Sequence, residues 1–133
     1  MSFEIAVQQA IYDKLTTSAP VMNLISAVRD HMLQNNATFP YITIGEASHA
    51  ANDTDTTLAE RVTATIHVWS RQAGRAETKQ IQGAIFDALN RQPLTATGYI
   101  FEDCLRLNSQ SFIDADGITR HGVQQFLIRI RKT

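Results

Sequence analysis

The sequence has almost no cysteine, no long apolar run and no excess charge of either sign, and each shortage removes a class of protein. Cys104 is the single cysteine and has no partner for an internal disulfide, so the fold must stand on packing alone, and a reducing compartment suits it. No apolar stretch approaches the roughly 20 residues that a membrane-spanning helix needs. The opening Met1-Ser2-Phe3-Glu4 lacks a basic region leading into an apolar core, so no secretory signal is expected and the cytoplasm is the expected place of synthesis and residence. Twelve Lys and Arg against 13 Asp and Glu leave a net charge of −1, which gives no general drive toward nucleic acid or an anionic membrane. With 133 residues and 44% hydrophobic content, the chain reads as one domain spanning 1–133 that can bury its own core.

Reactive constellations are equally scarce. No serine sits in a Gly-x-Ser-x-Gly elbow, and the acidic neighbours of Cys104 raise rather than lower a thiol pKa, so Cys104 reads as a packing residue. His31, His49, His67 and His121 are dispersed, none with a second ligand at metal spacing on its own element, so no metal site is expected. Asp114-Ala115-Asp116-Gly117 resembles the start of a calcium loop but lacks further ligands, with Gln125 where a bidentate glutamate belongs; it reads as a hairpin turn. Glu102 and Asp103, adjacent in a strand, are expected on opposite faces, which separates them as an acid–base pair. Gly74-Arg75-Ala76-Glu77-Thr78-Lys79 opens a helix beside basic residues but lacks the phosphate-loop pattern.

What is present is periodicity. Between Arg61 and Ser70, Val62, Ala64, Ile66 and Val68 alternate with Thr63, Thr65, His67 and Trp69, which predicts a half-buried central strand. After Gln72-Ala73-Gly74, Ile81, Ala84, Ile85, Ala88 and Leu89 recur at helical spacing. Phe3, Val7, Ala10, Ile11 and Leu15 form a similar stripe behind a capping Ser2, and Pro20 opens a short second helical turn. Val28 to Leu33 reads as a short edge strand, Asn35 to Thr38 as a loop, and Phe39 to Gly45 as a strand entered through proline. From 46 to 57 no large apolar residue appears, and the segment predicts a mobile acidic loop. Tyr99 to Phe112 is strand-like with a bulge, and Ile118 to Arg131 closes a hairpin with Phe126, Ile128 and Ile130 inward. The expected fold is α+β, a mainly antiparallel sheet with helices on one face, in the order α-α-β-β-β-α-β-β.

Two surface features invite a functional reading. His67 and Trp69 share one face, either as a ligand platform or as cover for the sheet beneath a helix or a neighbouring subunit. Arg129 and Arg131 face outward, either as guards of a solvated strand or as a basic surface that meets the acidic residues Glu46, Asp53, Asp55 and Glu60 of another copy.

Four segments in order carry a family likeness: Phe39-Pro-Tyr-Ile-Thr-Ile-Gly45, Ile66-His-Val-Trp-Ser-Arg71, Gly74-Arg-Ala-Glu77 followed by Ile81 and Ala88-Leu89, and Asp116-Gly-Ile-Thr-Arg-His-Gly122. The set resembles the tail completion, or tail terminator, family of long-tailed bacteriophages and the related gene transfer agents. That resemblance implies a small structural protein that caps the head-proximal end of the tail tube, stops its polymerisation and joins it to the head connector. It implies assembly in the host bacterial cytoplasm, a final place at the head–tail junction of the virion or particle, and a hexameric ring whose subunits are in some members monomeric when free. The implied partners are further copies of the chain, the tail tube protein and the head–tail connector protein, with no cofactor, no membrane, no sequence-specific nucleic acid and no catalytic residue. Glu46, Asp53, Asp55, Glu60, Trp69, Arg129 and Arg131 are then the candidate subunit-interface residues. The alternatives are a small enzyme using the His67 and Trp69 face, or a nucleic-acid-binding module using the C-terminal arginines.

Overall fold

The computed structural model describes residues 2–30, 38–54 and 56–133, so His31, the end of the expected first strand, most of the loop before Phe39, and Asp55 lie outside the described residues. Helix α1 (Phe3–Thr16) starts where the Ser2 hydroxyl accepts from the Ile5 N–H at 3.1 Å, and it buries Ala6, Val7, Ala10, Ile11 and Leu15. A single helical turn, α2 (Ala19–Met22), follows with Pro20 in its first turn, then the two-residue strand β1 (Val28–Arg29). Strands β2 (Tyr41–Ala51) and β3 (Ala59–Ser70) lead to helix α3 (Ala76–Leu89), a two-residue strand β4 (Thr95–Ala96), and the long hairpin of β5 (Tyr99–Ile113) and β6 (Arg120–Lys132).

The six strands form one sheet in the order β1-β2-β3-β6-β5-β4, antiparallel except for the β1–β2 pair. Its helix-covered face carries Ile42, Val62, Ile66, Val68, Phe126, Ile128 and Ile130, which join the buried stripes of α1 and α3 in one core. The expected α+β architecture and element order are observed, with β4 added as a short rung beside the start of β5. Asp116 closes the β5–β6 turn by accepting from the Ile118 and Thr119 N–H groups at 2.8 Å, with Gly117 at φ 73°.

The expected loop at 46–57 is corrected. Residues 46–51 continue β2 as exposed strand, paired with β3 from Ala47↔Ala64 to Ala51↔Glu60, and only the stretch after Ala51 turns. Composition misleads there because a strand held by main-chain hydrogen bonds to a buried neighbour needs no apolar side chains of its own.

Helix α3 crosses β6 at Gly122, where an added Cβ would lie 2.6 Å from Gln82 Nε2 and 2.8 Å from Thr78 Cγ2. The missing side chain lets the Gln82 amide reach over β6 and donate to the Gln110 carbonyl at 3.0 Å, while buried Gln124 donates to the Gln82 carbonyl at 3.1 Å. The Gly122→Ala variant is therefore expected to lose about 1–3 kcal/mol in urea unfolding through overpacking. Gly83→Ala, with nothing within 4 Å of its added Cβ, should instead gain about 0.5–1 kcal/mol from helix propensity.

Candidate interaction face on the open side of the sheet

The second face of the sheet is covered by no helix among the described residues, yet part of it is buried. Alternation places Tyr41 and Thr43 of β2, Thr65, His67 and Trp69 of β3, His121 of β6 and Phe112 of β5 on this face. Their rings form a continuous file. Phe39 lies 5.1 Å from Tyr41, Tyr41 stacks on Trp69 at 6.3 Å, Trp69 on His121 at 3.9 Å, and His121 meets Phe112 at 4.8 Å between centroids. The Arg71 guanidinium sits 4.4 Å above Phe39 and closes one end. Tyr41 and Trp69 are thereby only 1% and 8% exposed, and the Trp69 indole N–H donates to Thr43 Oγ1 at 3.0 Å.

A β-bulge completes the cluster. Ile44 pairs with Ile66 and Ala47 with Ala64, so Gly45 and Glu46 together oppose Thr65, and the extra residue turns Glu46 onto the open face. Gly45 is required here, since a Cβ would sit 2.7 Å from the His67 ring. Glu46 Oε1 contacts His67 Nε2 at 2.9 Å, and His67 Nδ1 contacts His121 Nε2 at 2.6 Å, a chain that ties β2, β3 and β6 together. Only one proton fits between the two imidazoles: because the Glu46 carboxylate accepts from His67 Nε2–H, neutral His67 accepts at Nδ1 from the His121 Nε2–H.

The titration pattern follows from this geometry. Burial and the His67 imidazole push His121 below the ordinary histidine range, against the opposing pull of the Asp114 and Glu46 carboxylates. Burial acts to raise the Glu46 carboxyl, but its hydrogen bond to His67 and the attraction between them leave it lowered overall. Cys104 is deeply buried and its thiol is pushed up to about 12, by burial first and Asp103 second, so it is an inert packing residue.

Two sequence expectations change at this face. The histidines are not all dispersed: the β3–β6 register places Trp69 opposite His121 and so brings His67 and His121 into contact, a relation between residues 54 apart that no local spacing reveals. Glu102 and Asp103 are not on opposite faces either, because the register shift between Phe101 and Asp103 aims both at the arginines of the open side. Asp103 Oδ2 pairs with Arg129 at 3.1 Å and Glu102 lies 4.0 Å from Arg131. The other candidate interface residues also have partners within the chain. Asp53 Oδ1 accepts from the Ala59 N–H at 2.8 Å, and Glu60 lies 3.4 Å from His49, which also meets Glu4 at 2.8 Å. No group of three or more metal-ligating side chains occurs among the described residues. Two surface clefts, of about 440 Å³ beside Tyr12 and Arg29 and about 560 Å³ beside Arg91 and Cys104, do not include His67.

Comparison with known proteins decides what this scaffold is. The family model for tail completion protein gp17 matches residues 9–131. Tail completion protein gp17 of Bacillus phage SPP1 is 30% identical over 128 residues, covering 96% of this chain and 91% of that protein. The chain belongs to the tail completion gp17 family. The solved structure of bacteriophage SPP1 gp17 superimposes with a TM-score of 0.63 at 28% identity, covering 93% of this chain and 88% of that one. A chain in the virion of a native gene transfer agent particle has the same fold, with a TM-score of 0.90 at 22% identity over 98% of this chain and 99% of that one.

For this member of the family, acid should loosen the open face. A histidine held below its unfolded pKa contributes stability above the ordinary histidine range and loses it as pH falls through the depressed folded value; lowered Glu46 acts in the same direction at lower pH. Trp69 emission is expected to shift to longer wavelength on acidification below the ordinary histidine range. The His121→Phe variant, which keeps the ring file, should lose that first acid step.

Proposed function

We propose that this tail completion protein is a structural particle component that caps the head-proximal end of a tail tube as a hexameric ring and joins the tail to the head connector, in a tailed phage or a gene transfer agent. The observation that carries the reading is the family relationship over residues 9–131. The chemistry of the fold agrees with a role in contact rather than catalysis. His67 is engaged by Glu46 and His121, and Arg129 and Arg131 lie beside Asp103 and Glu102, which weakens both the enzyme and the nucleic-acid alternatives. Assembly takes place in the host cytoplasm, with the tail tube protein and the connector as partners.

Rotational closure requires two different, complementary patches on each subunit. In this reading the acidic side chains Glu46, Asp53 and Glu60 approach Arg129 and Arg131 of the next subunit; Trp69 is nearly buried within its own subunit, so the exposed Phe112 at the end of its ring file supplies the apolar area. Exposed ion pairs contribute only about 0–1 kcal/mol each, so charge sets partner choice and register. The test is microscopy of particles made with and without the protein. Its absence should leave tails of irregular length detached from heads, and a label on the protein should mark the head–tail junction. A label along the tube or at the tail tip, or joined tails of normal length without the protein, would overturn the reading. Reversing Arg129 and Arg131 to Glu should change stability by no more than about 1 kcal/mol per pair yet reduce joined particles, with partial recovery when Asp53 becomes Lys.

A further inference from the structure

Among the described residues, each edge of the sheet carries a stretch of main chain with no outward partner, and the two stretches match. On one side β1 covers only Ile42 and Thr43 of β2. On the other, β4 covers only Tyr99 and Ile100 of β5, and the exit of α3 covers the next part, through Arg91 N–H to the Cys104 carbonyl at 2.7 Å and Arg106 N–H to Asn90 Oδ1 at 2.9 Å. Beyond these, the end of β2 (46–51) and the end of β5 (107–113) pair only inward among the described residues.

The register says which groups are free. Lys132 N–H donates to the Leu58 carbonyl, so even-numbered β6 residues turn their main-chain groups to β3 and odd-numbered ones to β5. Ser109 opposes Gln124 and Ser111 opposes Gly122, both even, so the N–H and C=O of Ser109 and Ser111 point out of the sheet. On β2, Ile42 N–H donates outward to Ala27 and Asn52 N–H reaches inward to Ala59, and by the same alternation Ala47, His49 and Ala51 turn their groups outward.

Exposed edges are normally guarded by charge, proline or bulges against pairing with another chain. Here bulges at Gly45–Glu46 and at Leu107 mark where each stretch begins, but beyond them no lysine, arginine, acid or proline guards the edge: residues 108–113 read Asn-Ser-Gln-Ser-Phe-Ile, and 47–51 read Ala-Ser-His-Ala-Ala. Leu107, Phe112 and Ile113 are also 41–52% exposed. Ala47, Ala51, Ser109 and Ser111, whose main-chain groups face outward, carry small side chains that leave room for close approach.

We infer that the 47–51 edge of one copy adds to the 107–113 edge of the next, continuing the sheet from subunit to subunit. Because β2 and β5 run in opposite directions within the sheet, copies in the same orientation meet antiparallel there. The two free stretches lie at opposite ends of the strands, so each junction is staggered, as closing a sheet on itself demands. The occupant is a second copy because each edge finds its complement on the same chain, which makes the contact head-to-tail and self-repeating. This deepens the ring reading and rests on it.

The test compares hydrogen exchange in free protein and in particles that carry it. Peptides covering 46–51 and 107–113 should exchange about tenfold or more slowly in the particle, while the β3–β6 ladder is protected in both. Ser111→Pro removes only an outward donor. It should keep the unfolding midpoint and Trp69 emission of the parent and fail to enter particles, as should Ser109→Lys. Unchanged exchange at both edges in particles labelled at the head–tail junction would overturn the edge pairing while leaving the ring reading intact. Absence of the protein from that junction would instead overturn the ring reading.

Discussion

The unbroken ladder between β3 and β6 is the constraint from which the rest of the molecule follows. It runs from Ala59↔Arg131 to Ser70↔Arg120 without a register shift, whereas both flanking pairs, β2–β3 and β5–β6, contain bulges. Since a slip of one residue would exchange the two faces of a strand, this ladder fixes both faces at once. It sets Val62, Ile66 and Val68 beside Phe126 and Ile128 under the helices, where each large apolar side chain contributes about 1.5–3 kcal/mol on burial. The same register sets Trp69 beside His121 on the side that no described helix covers. The core and the candidate interaction face are two consequences of one pairing.

How much of this the sequence displays depends on whether a residue's role is set by its own segment. The apolar stripe of α1, the alternation in β3 and the helical spacing of α3 are local, and each places its element where the structure has it. The bulge that turns Glu46 onto the open face is not local, because it depends on which residue of β3 stands opposite. The His67–His121 contact joins residues on two strands whose register is set by the whole ladder. Residues 46–51 were illegible for another reason: a strand exposed on its side chains has no hydrophobic signature, and its support comes from the main chain of β3.

Gly122 and Gly45 show the same coupling from the side of packing. Both stand where a ring or an amide from another element occupies the volume a Cβ would need, Gln82 over Gly122 and His67 over Gly45. One contact seats α3 on the hairpin, and the other lets His67 reach Glu46 across the bulge. Both positions sit on strands that the family relationship spans, and neither role can be read from glycine content, which is unremarkable at six residues.

In the proposed ring, the edge pairing would also set when subunits associate. A main-chain hydrogen bond contributes only about 0.5–1.5 kcal/mol net, because each group exchanges a water partner for a protein one. A junction built from a few such bonds and small side chains such as Ala47, Ala51, Ser109 and Ser111 therefore gains little against the entropy lost on association. Two copies in free solution would have one junction to offset that loss, while a copy added between neighbours in the proposed ring on a tube end would gain two junctions and the tube contact for a single loss of freedom. The edges are thus chemically open but energetically quiet. Edges β-branched or aromatic throughout would pair in solution and nucleate open fibres, the hazard of any head-to-tail contact that does not close; here such residues are confined to Phe112 and Ile113 at the end of β5. In the proposed ring, the small residues Ala47, Ala51, Ser109 and Ser111 at the outward main-chain groups would let each edge remain open until a tail template brings its partner.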